Sequence, residues 1–327
     1  MDKADTSPIA IPTEDDIETL QRAEGLWFED GSLIIRAENT IFRVSRDILS
    51  ARSSVFRDML ALPQPPLPNG VDTMDGCPLV HLPDGAKDMQ YFLQALFDYQ
   101  FFNPYPAPTI FPIVSGVLRM SHKYDVEGLR RRALMHLSAG VPVTLQEAQS
   151  NCSGKRSTYL VAVIQLARQV SADWIIPWTV YRLCGSMTAE EILRGVDVNG
   201  TTVKLDFRDQ VVAMEASTFL RGNAISKVLR FLYSPLEIDG CRRPNSCIHL
   251  RLVAYSIAEN WGCYIMPLTV WLSSYFTQEL KGVCSVCLSA MKSAHSNALN
   301  ELWDELPGIC GLSGWKDLVK MRDEALA

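Results

Sequence analysis

The sequence predicts an α+β protein: a small sheet flanked by helices, followed by an all-helical C-terminal domain. Two short apolar runs near the N-terminus, separated by two polar residues, have the pattern of a β-hairpin. After them, apolar residues recur at helical spacing almost to the end of the chain. The length of 327 residues and the hydrophobic content of 47% suit two domains of ordinary size, which we expect at residues 25–140 and 141–327.

The N-terminal segment, residues 1–24, differs in composition from the rest of the chain. It is polar and acidic, and Pro8 and Pro12 interrupt any early helix. A segment of this kind cannot bury enough apolar surface to offset the entropy cost of ordering it. We therefore expect a disordered acidic tail.

The elements of the first domain follow in order from residue 25. Residues 33–37 and 40–44 predict two hairpin strands joined by a tight turn at Glu38-Asn39. Ser45 can cap one helix, with its buried positions expected at Ile48, Leu49, Val55, Phe56, Met59 and Leu60. The segment Pro63–Pro78 is rich in proline and glycine and predicts an exposed loop, and residues 78–83 predict a third strand. Asp84 can cap the next helix, and two more helices lead to Gly140.

The second domain opens on a capping box at Thr144–Glu147, and a second capping box lies at Thr188–Glu191. Helical periodicity is found near residues 156–171, 177–186, 210–220, 223–233, 248–260, 267–281 and 284–305. One alternating stretch, Thr201–Phe207, favours a short strand. The domain is otherwise expected to be helical throughout.

Charge and hydropathy exclude several classes of protein. The net charge of −6 argues against direct nucleic-acid binding, which requires a clustered positive surface. No run is long and apolar enough to predict a membrane span, and no secretory signal is visible. We expect an intracellular protein, cytoplasmic or nuclear, in which the nine cysteines are free thiols or metal ligands.

Four sequence stretches carry a family resemblance. They are Trp27–Leu33, Phe42–Leu49, Ser53–Leu60 and Leu118–Asp125. Together they resemble a BTB/POZ domain over residues 25–140. The stretch Gly76–Asp84 and the late segment Trp303–Pro307 are similar to those of the expanded BTB families of mushroom-type (basidiomycete) fungi.

The resemblance implies a non-catalytic protein-binding role, in which the domain forms a homodimer or scaffolds another protein. Candidate interface residues are Leu26, Trp27, Phe28, Val55, Phe56 and Met59. Ser45 stands where most BTB domains have a histidine linked to the dimer region, so the mode of dimerisation is open. Adaptors of cullin ubiquitin ligases are an alternative, but the hydrophobic-x-Glu motif typical of them is absent from the loop at residues 61–77.

The second half contains one pattern with metal chemistry. Cys284-x-x-Cys287 has the spacing of a zinc-binding pair, and Cys241, Cys247 or His295 can complete the ligand set. The opposing interpretation is a packed helix face, whose single stripe carries Cys284, Cys287, Met291, His295, Leu299 and Leu302. No catalytic motif is found, so we expect no enzyme and no cofactor other than zinc. A zinc-binding or regulatory helical domain with a role in transcription is the second alternative.

Overall fold

The computed structural model describes residues 20–62, 73–150, 158–198, 200–260 and 266–327. They form a mixed α+β structure, as the sequence predicts. Contacts divide the chain into two compact units between His136 and Leu137, four residues before the predicted boundary. Among the described residues, no helix combines the length and the apolar character needed to cross a membrane.

The first unit contains a five-stranded sheet in the order β1-β3-β2-β5-β4. Its strands are β1 (Gln21–Trp27), β2 (Leu33–Ala37), β3 (Thr40–Val44), β4 (Thr73–Met74) and β5 (Cys77–Leu82). The predicted hairpin is confirmed, because β2 and β3 are antiparallel with Ala37 opposite Thr40. The predicted third strand is also confirmed as β5, which runs parallel to β2.

Strand β1 corrects the prediction for the N-terminal tail. Residues 21–24 belong to this strand, in which Gln21 and Arg22 pair in parallel with Thr40 and Ile41 of β3. Residues 1–19 lie outside the described residues. Only Ala23 and Leu26 of β1 are buried, so the strand reads as polar. Backbone hydrogen bonding to β3 holds an edge strand that composition does not reveal.

The helices of the first unit are α1 (Arg46–Arg52), α2 (Ser54–Ala61), α3 (Ala86–Phe97), α4 (Phe111–Lys123) and α5 (Glu127–Ser138). The Ser45 cap is confirmed, since its side chain accepts from Ile48 N. The single helix predicted after it is wrong: Ser53 has extended backbone angles, ends α1 and caps α2. As a result Leu49 and Phe56 point inward, but Ile48 and Val55 are exposed.

Asp84 does not cap α3, contrary to the prediction. Gly85 occupies the N-cap position, so no side chain of the N-cap residue caps this helix. The nearly buried Asp84 carboxylate instead accepts from Lys123 Nζ at 2.6 Å and from the Tyr124 hydroxyl. This acid therefore ties the start of α3 to the end of α4.

In its described residues, the second unit is helical apart from turns, connecting loops and one small hairpin. Its helices are α6 (Leu145–Ser150), α7 (Leu160–Gln169), α8 (Ile176–Ser186), α9 (Ala189–Arg194), α10 (Phe207–Phe219), α11 (Ile225–Leu229), α12 (Pro244–Asn260), α13 (Tyr275–Gln278), α14 (Ser285–Ile309) and α15 (Trp315–Leu326). The hairpin consists of β6 (Val196–Val198) and β7 (Thr201–Val203). Both capping boxes are confirmed: Glu147 N donates to Thr144 Oγ1 at 3.3 Å, and Glu191 N to Thr188 Oγ1 at 3.2 Å.

Two helical predictions fail in this unit. Residues 267–281 form a single 3-10 turn and the short α13, not one helix. Helix α15 lies beyond the predicted elements, and its Trp315 stacks on Trp303 of α14 with ring centroids 4.6 Å apart and planes 3° apart. Trp178 of α8 also packs against Trp303, so three helices meet at these indoles.

Candidate interaction surface and four-cysteine cluster

The six candidate interface residues occupy different environments. Leu26 and Phe56 are fully buried, so their side chains belong to the core of the first unit. Trp27 and Phe28 are half-buried, and Phe28 packs on Phe97 with ring centroids 5.5 Å apart. Only Val55 and Met59 lie on one exposed helix face.

Helix α2 presents an apolar stripe to solvent. Val55, Met59 and Leu62 are spaced i, i+4 and i+7, which places them on one side of the helix and its C-cap. Val55 is 38% exposed, Leu62 is 65% exposed and Met59 is half-buried. We name these three residues the α2 stripe. The sequence analysis did not include Leu62 among the candidate interface residues. Its spacing of seven residues from Val55, two helical turns, could have identified it.

The outer side of β1 is a second unpartnered feature. Within the described residues, β1 pairs only with β3 and lies at the edge of the sheet. Trp27 at its end is covered by the guanidinium of Arg22, whose Cζ lies 4.3 Å from the ring centroid. An edge of this kind exposes backbone donors and acceptors that another strand can pair with.

Four cysteines of the second unit converge at one point. The sulfur atoms of Cys241, Cys247, Cys284 and Cys287 all lie within 4.8 Å of one another. We name this group the four-cysteine cluster. Cys247 and Cys287 are buried, while Cys241 and Cys284 are partly exposed.

Local backbone structure places each thiol. Cys241 is the last residue of a turn that is closed by a hydrogen bond from the Cys241 N–H to Ile238 O. Gly240 in this turn has a positive φ of 78°. Cys247 lies in the first turn of α12. Cys284 is the N-cap of α14, and Cys287 is three residues later in its first turn. Two helix N-termini therefore meet at the cluster.

Backbone amides favour negative charge on these sulfurs. The pKa of Cys284 is lowered to about 6, and the largest cause is the nearby backbone N–H of Cys287 in the first turn of α14. The Cys284 N–H in turn donates to Cys247 Sγ at 3.4 Å. Burial raises the pKa of Cys247 and of Cys287, so neither of these two buried thiols ionises readily by itself.

Arg251 is the buried cation beside the cluster, and it was missed in the sequence. It is 2% exposed and lines the same cleft as Cys241, Cys247 and Cys287. Its Nη groups donate to the carbonyls of Phe231, Leu236 and Pro235 at 2.7–2.9 Å. Its Nε has no hydrogen-bond partner within the described part of the chain.

His295 is not part of the cluster, which corrects the predicted ligand set. It lies eight residues beyond Cys287, or about 12 Å along the axis of α14 at 1.5 Å per residue. Its ring packs edge-on against Phe231 and Phe276, and burial lowers its pKa to about 4. The opposing interpretation, a packed helix face, is confirmed for five of its six residues, since α14 buries Cys287, Met291, His295, Leu299 and Leu302. It is wrong for Cys284, because this residue precedes the helix and has extended angles.

Comparison with protein-family models, with curated proteins and with solved structures finds no match to this chain. The arrangement of the residues themselves therefore carries the functional argument.

Proposed function

We propose that this chain is a non-catalytic protein-interaction module, of BTB/POZ type in its first unit, that self-associates through the α2 stripe. The stripe is the observation that carries the proposal. Val55 and Leu62 expose apolar side chains on a helix whose opposite side already fills the core through Phe56. A second copy of the chain can bury the same stripe symmetrically, as twofold dimers do.

Two further features support this proposal. From β2 to α5 the described elements run as a hairpin, two helices, the short strand β4, strand β5 parallel to β2, and three helices. This order is compatible with the resemblance of residues 25–140 to a BTB/POZ domain. The outer edge of β1 pairs with no further strand among residues 20–62 and 73–150, so it offers a second contact for another chain. Both features suit binding, and neither supplies a catalytic group.

The test is the solution mass of the full chain by light scattering, beside that of Val55→Asp. We expect a dimer for the parent chain. Placing a carboxylate in an apolar contact costs several kcal/mol, so Val55→Asp weakens the dimer by about 100-fold or more. The matched control is Val211→Asp, because Val211 is 39% exposed near the start of α10 in the other unit.

Each outcome decides the proposal. A dimer lost in Val55→Asp and kept in Val211→Asp supports it. A parent chain that is monomeric at micromolar concentration overturns self-association. Co-purification of such a monomer with a cullin would replace it with the ligase-adaptor function.

A further inference from the structure

We propose that the four-cysteine cluster binds one structural Zn²⁺ ion through all four thiolates. This site lies in the second unit and does not depend on the interaction proposed for the first. The sulfur distances are the first argument. A tetrahedral Zn–S₄ centre with Zn–S bonds of about 2.3 Å places its sulfurs about 3.8 Å apart. Cys241 Sγ and Cys284 Sγ are 3.8 Å apart, and all four sulfurs lie within 4.8 Å.

The backbone around the cluster provides the second argument. Thiolates bound to zinc are ordinarily held by backbone N–H donors of the surrounding chain. Here the Cys284 N–H donates to Cys247 Sγ at 3.4 Å. The two helix N-termini add positive potential at the same point.

The charge of Arg251 is an independent argument. A zinc ion with four thiolates carries a net charge of −2, which requires a nearby cation when the site is buried. Arg251 is buried in the same cleft, one helical turn after Cys247. Within the described residues it forms no ion pair, and its Nε–H is unused. The protein therefore holds a buried positive charge that a zinc–thiolate centre would balance.

The donor set defines both the metal and its role. Four soft thiolates in a tetrahedral arrangement select zinc or iron. We favour zinc because it has no redox chemistry and therefore suits a purely structural site. All four positions are filled by protein, so no site remains for water or substrate, as in structural zinc centres. The ion would join the turn at 238–241 to the first turns of α12 and α14.

The experiment begins with the full chain purified under reducing conditions without chelator. Elemental analysis is expected to give about one zinc per chain. Replacing zinc with Co²⁺ should give the intense visible bands of tetrahedral cobalt with thiolate charge transfer. Cys247→Ser and Cys287→Ser should lose the metal, whereas the control Cys310→Ser, which removes a buried thiol outside the cluster, should retain it.

Two further variants keep the test decisive if a serine variant does not fold. Cys241→His preserves a donor at the partly exposed position and should bind one metal with an altered cobalt spectrum. His295→Gln should keep the full zinc content, since its ring lies beside Phe231 and Phe276.

Several results would overturn the proposal. One is a zinc content well below one per chain in parent protein that also gives no cobalt–thiolate spectrum. Another is bound iron in place of zinc. A third is equal retention of zinc by Cys247→Ser and Cys310→Ser.

Discussion

Ser53 connects two helices and a distant carbonyl through one hydroxyl group. The hydroxyl accepts from Phe56 N at 3.0 Å and donates to Tyr124 O, and the residue is 1% exposed. Ser53→Ala removes the cap of α2 and leaves a buried carbonyl unpaired, so we expect the free energy of unfolding to fall by about 2–3 kcal/mol. Urea unfolding measures the change.

The control for this prediction is Ser50→Ala, a half-buried serine within α1. Its free energy of unfolding should stay within about 0.5 kcal/mol of the parent. Equal losses in the two serine variants would contradict the role assigned to Ser53.

His295 predicts how stability depends on pH. Its folded-state pKa of about 4 lies below the ordinary value of 6.5, because burial among aromatic rings disfavours the charged ring. The unfolded chain therefore binds the proton more readily, and stability falls as pH drops from 6.5 towards 4, by up to about 3 kcal/mol. Denaturant unfolding of the parent and of His295→Gln at pH 7, 5.5 and 4.5 checks this. An equally steep pH profile in His295→Gln would exclude the histidine as its source.

The hydrogen-bonding role of a single residue was predictable from the sequence when its partner lies a few residues away. The caps at Ser45 and Thr188 are examples, because each side chain bonds a backbone N–H three residues later. Asp84 was not predictable, since its partners Lys123 and Tyr124 lie about 40 residues away. Arg251 was hidden for the same reason: its carbonyl partners lie 15 to 20 residues earlier in the chain.

At the scale of elements, a buried ion pair joins α7 to α10. Arg168 donates to Asp209 at 2.9 Å, and Asp209 is almost fully buried. Arg168→Met leaves that carboxylate without its partner, so we expect a loss of about 3–5 kcal/mol in unfolding free energy. The double variant Arg168→Met/Asp209→Leu should recover much of the loss, as measured in a double-mutant cycle by urea unfolding.

The comparison for this pair is the exposed pair Arg194–Glu190 on α9. Arg194→Met should change the free energy by less than about 0.5 kcal/mol. A double variant at residues 168 and 209 that is no more stable than Arg168→Met would show that packing, not charge, explains the loss.

Elements with strong local patterns were predicted well, and those fixed by distant partners were not. The hairpin β2–β3 follows from alternation and a two-residue turn. Strand β1 depends on pairing with β3, and its own side chains give little indication of it. The region 267–281 has helical spacing, yet the chain breaks it after Thr269 and restarts at Tyr275.

At the scale of the whole molecule, the zinc proposal predicts a response confined to the second unit. Chelation of the metal should speed amide hydrogen exchange at residues 238–241 and in the first turns of α12 and α14, because the ion would hold these segments together. Exchange in β2, β3 and β5 should not change. Hydrogen-exchange mass spectrometry on the full chain, before chelation, after it and after zinc is restored, measures both regions.

Protection that drops equally in the sheet and in α12 would contradict a local structural site. The same applies if added zinc fails to restore slow exchange near Cys247 and Cys284. Cys287→Ser measured without chelator is the control for the loss of metal. Its amide exchange rates near the cluster should equal those of the chelated parent protein.

The cluster shows how far a sequence can reveal a site. The Cys284–Cys287 pair was visible because its spacing is local. Its meeting with Cys247 depends on the fold of the chain, because Cys284 lies 37 positions after Cys247. The choice of ligands was thus open in the sequence, and His295 was equally plausible until the path of α14 placed it beside Phe231.

The stack of Trp303 on Trp315 has an optical consequence. Trp303 stacks on Trp315 at 4.6 Å and contacts the tilted ring of Trp178 at 6.2 Å, so the excited states of three indoles couple. Coupled indoles whose rings are tilted contribute a paired positive and negative band to the circular dichroism. Residues 1–136 contain one tryptophan, Trp27, so that segment cannot form an indole pair of its own. The part of this signal that is lost in Trp315→Phe therefore reports the docking of α15 on α14 without a label.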